Sequence, residues 1–416
     1  MGKIVTLKCG LRLALEKIPY VQSVTTGIWV SAGCVDENEK ERGISHFIEH
    51  MMFKGTSKRS ARQIAEDTDA LGAQMNAFTA KENTCYYVKS LSSNLDKAVE
   101  ILLDMMTDSV FSPEEMEREK KVVMEEMKMV QDTPEDAVQD MFYEELFRNE
   151  PLERSILGTP ESLAPITHDD IVAYIRREYA LDNIVVSVAG NFDEQQVCEI
   201  FEEKLSGFTA VKPVREYLPA DYSPSFRTAV KDIEQSHIVL GCRSLKYGDD
   251  DFYALTLLNN IMGGSMSSRL FQNIREEKGL AYTVYSFNSP HDKTGFFAIN
   301  AGVAHEKVED TVAAIREELQ KMADRGITDR ELEVSKEQIK GSYIFGLENT
   351  SSLMAANGKR ALLRNRLISQ EESLRRIDAV TMDDIRKVTN LITDLSTYSG
   401  ALISRRDIDL RKLIEN

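Results

Sequence analysis

The sequence predicts an α+β protein of two tandem homologous domains, each a mainly antiparallel sheet packed with helices. Its 416 residues are too many for one ordinary core, and 42% apolar with 29% charged residues is the balance of a soluble globular chain. Strand-like and helix-like runs follow one another in the same order in each half. The second half also echoes the first. Ser112-Pro113-Glu114-Glu115-Met116-Glu117 returns 216 positions later as Thr328-Asp329-Arg330-Glu331-Leu332-Glu333. Likewise Cys85-Tyr86-Tyr87-Val88 before a helical run at 94–106 matches Phe296-Phe297-Ala298-Ile299 before 306–322.

The first half opens on strand-like sequence at its N-terminus and again at 24–30. Gly43-Ile44-Ser45 then offers a turn and an N-cap for a helix whose buried side is Ile44, Phe47, Ile48, Met51, Met52 and Phe53. That helix carries His46, Glu49 and His50. The two histidines are i and i+4 neighbours, so both imidazoles can reach one ion. Glu49 sits on the flank of their face, close enough to take a proton from a water held there without being a ligand. The order H-x-x-E-H inverts the common H-E-x-x-H and is the inverzincin pattern of zinc peptidases.

Between this helix and the next, the stretch 72–79 has the small residues and alternation of an edge strand to which an extended peptide can add, or of an ordinary turn and strand. A third metal ligand should be a carboxylate on another helix. Ser112 as N-cap, Pro113 in the first turn and Glu115 completing a capping box open such a helix. Within it Glu119 and Glu126 lie two turns apart on one face. Glu125 competes with Glu126, and register favours Glu126, because Glu125 lies about 100° away around the helix.

Three of the chain's ten prolines fall in 212–224, an extended linker that separates an N-terminal domain at 1–211 from a C-terminal one at 225–416. The second half opens on the strand-like run 237–241 and the helical run 253–260, which contains no His or Glu. At the 216-residue offset Glu119 becomes Ser335 and Glu126 becomes Ser342, so one half alone carries the metal motif. Gly263-Gly264 reads as a flexible turn, since no Gly-Lys-Ser/Thr follows to make a phosphate loop. Arg275 and Tyr282 flank a Lys278-Gly279 break. Taken alone, they fit an ion pair and a core aromatic as well as a pair of substrate contacts.

The net charge of −17 disfavours nucleic acid and anionic membranes as partners, and would attract basic peptides if part of it lines a cavity. Five scattered cysteines read as free thiols in a reducing compartment. No secretory signal is visible and no apolar stretch approaches the ~18 residues of a membrane span. The expected location is cytoplasmic.

The pentad and the distant Glu126 are joined by Met51-Met52-Phe53-Lys54-Gly55-Thr56, Asn76-Ala77-Phe78-Thr79, Gly263-Gly264-Ser265-Met266-Ser267-Ser268-Arg269-Leu270-Phe271 and Arg275-Glu276-Glu277-Lys278-Gly279-Leu280-Ala281-Tyr282. In this order, over nearly the whole chain, they resemble the pitrilysin/insulinase metallopeptidases. The likeness is greatest to bacterial processing-peptidase-like members, which are similar to the beta subunit of the mitochondrial processing peptidase. The resemblance implies one zinc ion (Zn2+) per chain on His46, His50 and Glu126. It implies Glu49 as general base and Glu119 as a carboxylate orienting a histidine. Asn76, Ala77 and Phe78 would bind substrate, and Arg275 and Tyr282 would hold it and steady the oxyanion. The implied activity is zinc-dependent endopeptidase, cutting short or unfolded peptides in a cavity closed by pairing with a second chain, as a homodimer or a heterodimer. A dedicated protein-processing peptidase stays open. So does a non-catalytic scaffold like the core subunits of the respiratory bc1 complex, although the intact His46, Glu49, His50 and Glu126 speak against it.

Overall fold

The computed structural model describes residues 2–205 and 222–415; most of the linker expected at 212–224 lies outside them. The described residues form two compact units that are not contiguous in sequence. One comprises 2–127, 154–205 and 344–369, the other 128–153, 222–343 and 370–415.

The first unit is built on a six-stranded sheet. Its strands are β1 (Lys3–Thr6), β2 (Arg12–Lys17), β3 (Ser23–Val30), β4 (Gln74–Thr79), β5 (Thr84–Leu91) and β6 (Ile184–Gly190). Their order is β1-β2-β6-β3-β5-β4, antiparallel except where β2 meets β6. β4 is therefore an edge. On one face lie α1 (Ile44–Met52), α2 (Ala61–Ala70), α3 (Leu95–Asp108) and α4 (Pro113–Asp132) as far as Met127. Phe47, Ile64, Leu102 and Val123 from these helices meet Leu13, Val24 and Ile28 of the strands in one core.

The other face is covered by the helix Thr350–Arg364, so β3, in the middle, is buried on both sides. Trp29 of β3 packs with Val185, Ala189, Met354 and Ala361, its Nε1 at 3.3 Å from Met354 Sδ. Only glycine fits at 358: a Cβ there would lie 2.1 Å from Trp29 Nε1. The Thr25 and Thr350 hydroxyls, 2.9 Å apart, and Ser187 Oγ donating to Met354 O at 2.8 Å satisfy polar groups in this layer.

The second unit repeats the plan on five strands, β7 (Phe226–Val230), β8 (Ser236–Ser244), β9 (Ala281–Pro290), β10 (Gly295–Val303) and β11 (Tyr398–Ser404). Their order is β7-β11-β8-β10-β9, with only β7 and β11 parallel. Ile238, Leu257, Phe297, Ile299, Leu319 and Leu402 centre its core. Helix α5 (Pro134–Leu146) belongs to this unit and lies so close to β8 that a Cβ on Gly241 would stand 2.8 Å from Phe142. Behind it Glu150, buried, pairs with Arg243 at 2.8 Å, and that guanidinium lies 4.2 Å over the Phe147 ring.

The expected class, α+β with mainly antiparallel sheets in two homologous domains, is the one found. Helix α5 and the helix Thr350–Arg364 begin 216 positions apart, the offset of the internal repeat. Each half of the sequence thus contributes its corresponding helix to the other half's unit. Gly263-Gly264 is not the free turn expected. Both glycines lie in a π-helical turn, and a Cβ on Gly263 would meet Ser286 N at 2.4 Å, so the residue permits close packing. All five cysteines are unpaired. Among the described residues no helix is long and apolar enough to cross a membrane.

Candidate metal centre

Helix α1 is a firmly seated platform. Ile44, Phe47, Ile48, Met51 and Met52 are almost fully buried against the first core, which fixes the helix and turns His46, Glu49 and His50 toward α4 and β4. The two imidazole rings meet edge-on with centroids 4.5 Å apart. Glu126 Oε2 of α4 stands 3.8 Å from His46 Nε2 and 3.5 Å from His50 Nε2. Among the described residues these three are the one group of three whose donor atoms converge closely enough to hold a metal ion, all within 4.8 Å of one another.

This donor set fits zinc. Bonds of 2.0–2.2 Å at tetrahedral angles put neighbouring ligand atoms about 3.3–3.6 Å apart, close to the two separations found. Two imidazoles and one carboxylate are also a catalytic type of ligand set, which leaves a fourth position for water or substrate. Burial, with His50 beside it, pushes the His46 pKa down to about 3, so the ring is neutral, as a metal ligand must be.

The groups behind these three donors are as specific. Glu119, two turns before Glu126 on the same face, is buried and lies 2.9 Å from His50 Nδ1 through Oε1. Its Oε2 accepts from Lys54 Nζ at 2.7 Å. A proton on His50 Nδ1 donated to Glu119 leaves Nε2 for a metal. His46 Nδ1 is buried without a hydrogen-bond partner, so this support is given to one histidine only. Glu125 is exposed and stands outside the cluster, as the helical register implied.

Glu49 projects beside the three candidate donors and accepts a 2.5 Å hydrogen bond from Thr79 Oγ1, at the end of β4. Burial raises its pKa, while the Thr79 bond and His50 pull the other way. In the sequence Thr79 and Lys54 stand out only as parts of the motifs 76–79 and 51–56. A residue five short of its hairpin partner Thr84 gives no sign in sequence that its hydroxyl reaches a helix thirty positions back.

Asn76, Ala77 and Phe78 lie on β4, at the sheet edge expected for them. Phe78 packs edge-on against Trp29 with centroids 5.4 Å apart, and the Ala77 N–H donates to Asn76 Oδ1 at 2.8 Å. Arg275 and Tyr282 belong to the second unit. The Arg275 guanidinium lies 4.7 Å over Phe271 and 5.6 Å over Tyr282, with Glu276 3.7 Å away. Tyr282 is no core aromatic, being 73% exposed at the start of β9. In the same unit Ser335, the counterpart of Glu119, accepts from Asn260 Nδ2 at 3.1 Å and donates to Leu257 O at 3.0 Å. A neutral polar contact occupies the place that the Glu119 carboxylate holds in the first unit.

Comparison with known proteins agrees with this division. Residues 12–160 match the insulinase family (peptidase family M16), and residues 165–339 match the peptidase M16 inactive domain. The uncharacterized zinc protease YmxG of Bacillus subtilis is 41% identical over 406 residues, covering 97% of this chain and 98% of the relative. Among solved structures, a peptidase M16 inactive domain from Pseudomonas fluorescens superposes with a TM-score of 0.92 at 19% identity, covering 98% of this chain and 99% of that one. A protease from Helicobacter pylori gives 0.90 at 23% identity, covering 97% and 99%. At these identities the structural likeness concerns the fold.

Proposed function

The chain belongs to the insulinase family, peptidase family M16, and from that premise we propose that it is a zinc-dependent endopeptidase acting on short or unfolded peptides. The observation that carries the reading is the convergence of His46, His50 and Glu126 with Glu49 at their side. These three residues would hold the zinc ion, which when bound lowers the pKa of water and polarises the scissile carbonyl. Glu49 accepts the proton of the attacking water and passes it to the departing amine as the C–N bond breaks. Thr79 fixes one oxygen of Glu49 and leaves the other for this transfer. Glu119 keeps the His50 ring turned with Nε2 outward.

The edge strand β4 supplies unpaired backbone to a substrate strand at Asn76, Ala77 and Phe78, which requires an extended chain and so favours peptides over folded proteins. The half-buried Arg275 and the exposed Tyr282 are proposed to touch substrate and to donate to the oxyanion. The charge of −17 supports a preference for basic peptides. Pairing with a second chain of this fold, as a homodimer or heterodimer, would enclose the site, and a cytoplasmic location suits the unpaired cysteines. The test is hydrolysis of a quenched-fluorescent peptide library. Activity should vanish with a chelator and return with stoichiometric zinc, whereas activity that survives complete removal of metal would overturn the reading.

A further inference from the structure

The helix that carries both histidines cannot cap itself. Gly43 is the N-cap of α1 and lies in the left-handed region at φ 87°, with no side chain to accept from the first turn. A Cβ there would stand 2.5 Å from Leu157 O and 3.0 Å from Gly158 Cα, so neither serine nor aspartate can take its place without displacing backbone. The first amides of a helix have no partner within it and must find one elsewhere.

They find Glu37, six positions upstream and 3% exposed. Its Oε2 accepts the Gly43 N–H at 2.8 Å and its Oε1 accepts the Ser45 N–H at 2.9 Å. The Ile44 N–H between them goes to Glu41 O at 2.8 Å. Glu37 is itself held, because the Arg154 guanidinium donates to its backbone carbonyl. The Ser45 hydroxyl lies 2.7 Å from Tyr174 OH, which ties the same turn to a second helix. A carboxylate at this end also meets the positive pole of the helix.

Residue 46 follows directly on the clamped turn. Helix α1 has only nine residues, so a shift at Ser45 has no length in which to relax before His46 and His50. We propose that Glu37 is a positioning residue for the metal: its carboxylate clamps the start of α1 and thereby sets how tightly His46 and His50 hold zinc. Glu37 stands outside the converging donor group and does not act as a ligand. The proposal rests on the zinc-peptidase reading above.

The test uses the full chain with Glu37→Gln and Glu37→Asp. Zinc affinity is measured on metal-free protein by competition with a chromophoric chelator, alongside far-ultraviolet circular dichroism and the absorption spectrum of the cobalt-substituted form. Glu37→Gln should keep its secondary structure, lose about 10–100-fold in zinc affinity and shift the cobalt bands. Glu37→Asp should fall between it and the unaltered protein. If Glu37→Gln does not fold, the Asp variant decides by the same two readouts. A folded variant with unaltered zinc affinity and cobalt spectrum, even one that melts earlier, would overturn the proposal and make Glu37 a stabiliser of the fold alone. His46→Ala is the control for the underlying reading. If it bound zinc as tightly as the unaltered chain, the metal assignment would fall, independently of Glu37.

Discussion

Thr79 donates its hydroxyl to Glu49 Oε2 at 2.5 Å, joining the last residue of edge strand β4 to the proposed base on α1. The strand proposed to receive substrate and the group proposed to move the proton are thus one hydrogen bond apart. A bond to a charged group contributes about 1.5–3 kcal/mol.

Thr79→Val, which keeps the shape and removes the donor, should therefore lower kcat about 10–100-fold with little change in KM or zinc content. Thr79→Ser should retain most of the rate. Steady-state kinetics with metal analysis decides, and an unaltered kcat in Thr79→Val would make the bond incidental.

The relay Lys54–Glu119–His50 predicts a different signature. Glu119→Gln keeps an acceptor for His50 but cannot satisfy it and Lys54 with a full carboxylate, so zinc affinity should fall about 10–100-fold. Lys54→Met should have a smaller effect in the same direction. Chelator competition on the two variants checks the order.

Much of this centre was legible in the sequence. His46 and His50 at helical spacing, and Glu126 rather than Glu125 by register, depend only on helix periodicity, which tertiary packing did not alter. The Ser112 cap was legible too, with its Oγ accepting from the Glu115 N–H at 3.3 Å. Ser45 was not. It reads as a cap, yet it lies inside α1, because the helix start is decided by the φ of Gly43 against Leu157 and by a carboxylate from a preceding loop. The exchange of helix α5 and the helix Thr350–Arg364 was equally hidden. An apolar stripe says that a helix must be covered but does not say by which sheet.

That exchange makes a stability prediction. Gly358→Ala drives a methyl group into Trp29, whose ring is almost fully buried and cannot swing aside. The change should destabilise the protein by about 1–3 kcal/mol. An unaltered denaturant midpoint would show that the helix Thr350–Arg364 has room to shift on its sheet.

Substrate choice can be tested with one sequence in three forms: a basic peptide, an acidic variant and the same segment within a folded domain. The basic peptide should be cut fastest, with an advantage that shrinks as salt rises, since attraction across water is screened over about 8 Å at physiological ionic strength. The folded domain should resist. Equal rates for the two peptides at low salt would remove the electrostatic part, and rapid cutting of the folded domain would remove the requirement for an extended strand.

The most direct test of the central claim is zinc content and peptide turnover measured side by side in Glu49→Gln and Glu126→Gln. The two carboxylates flank one cluster but are assigned opposite duties, proton transfer and metal binding. Glu49→Gln should bind one zinc per chain and lose turnover, while Glu126→Gln should lose the metal itself. Full activity in zinc-loaded Glu49→Gln, or stoichiometric zinc with full activity in Glu126→Gln, would contradict the assignment.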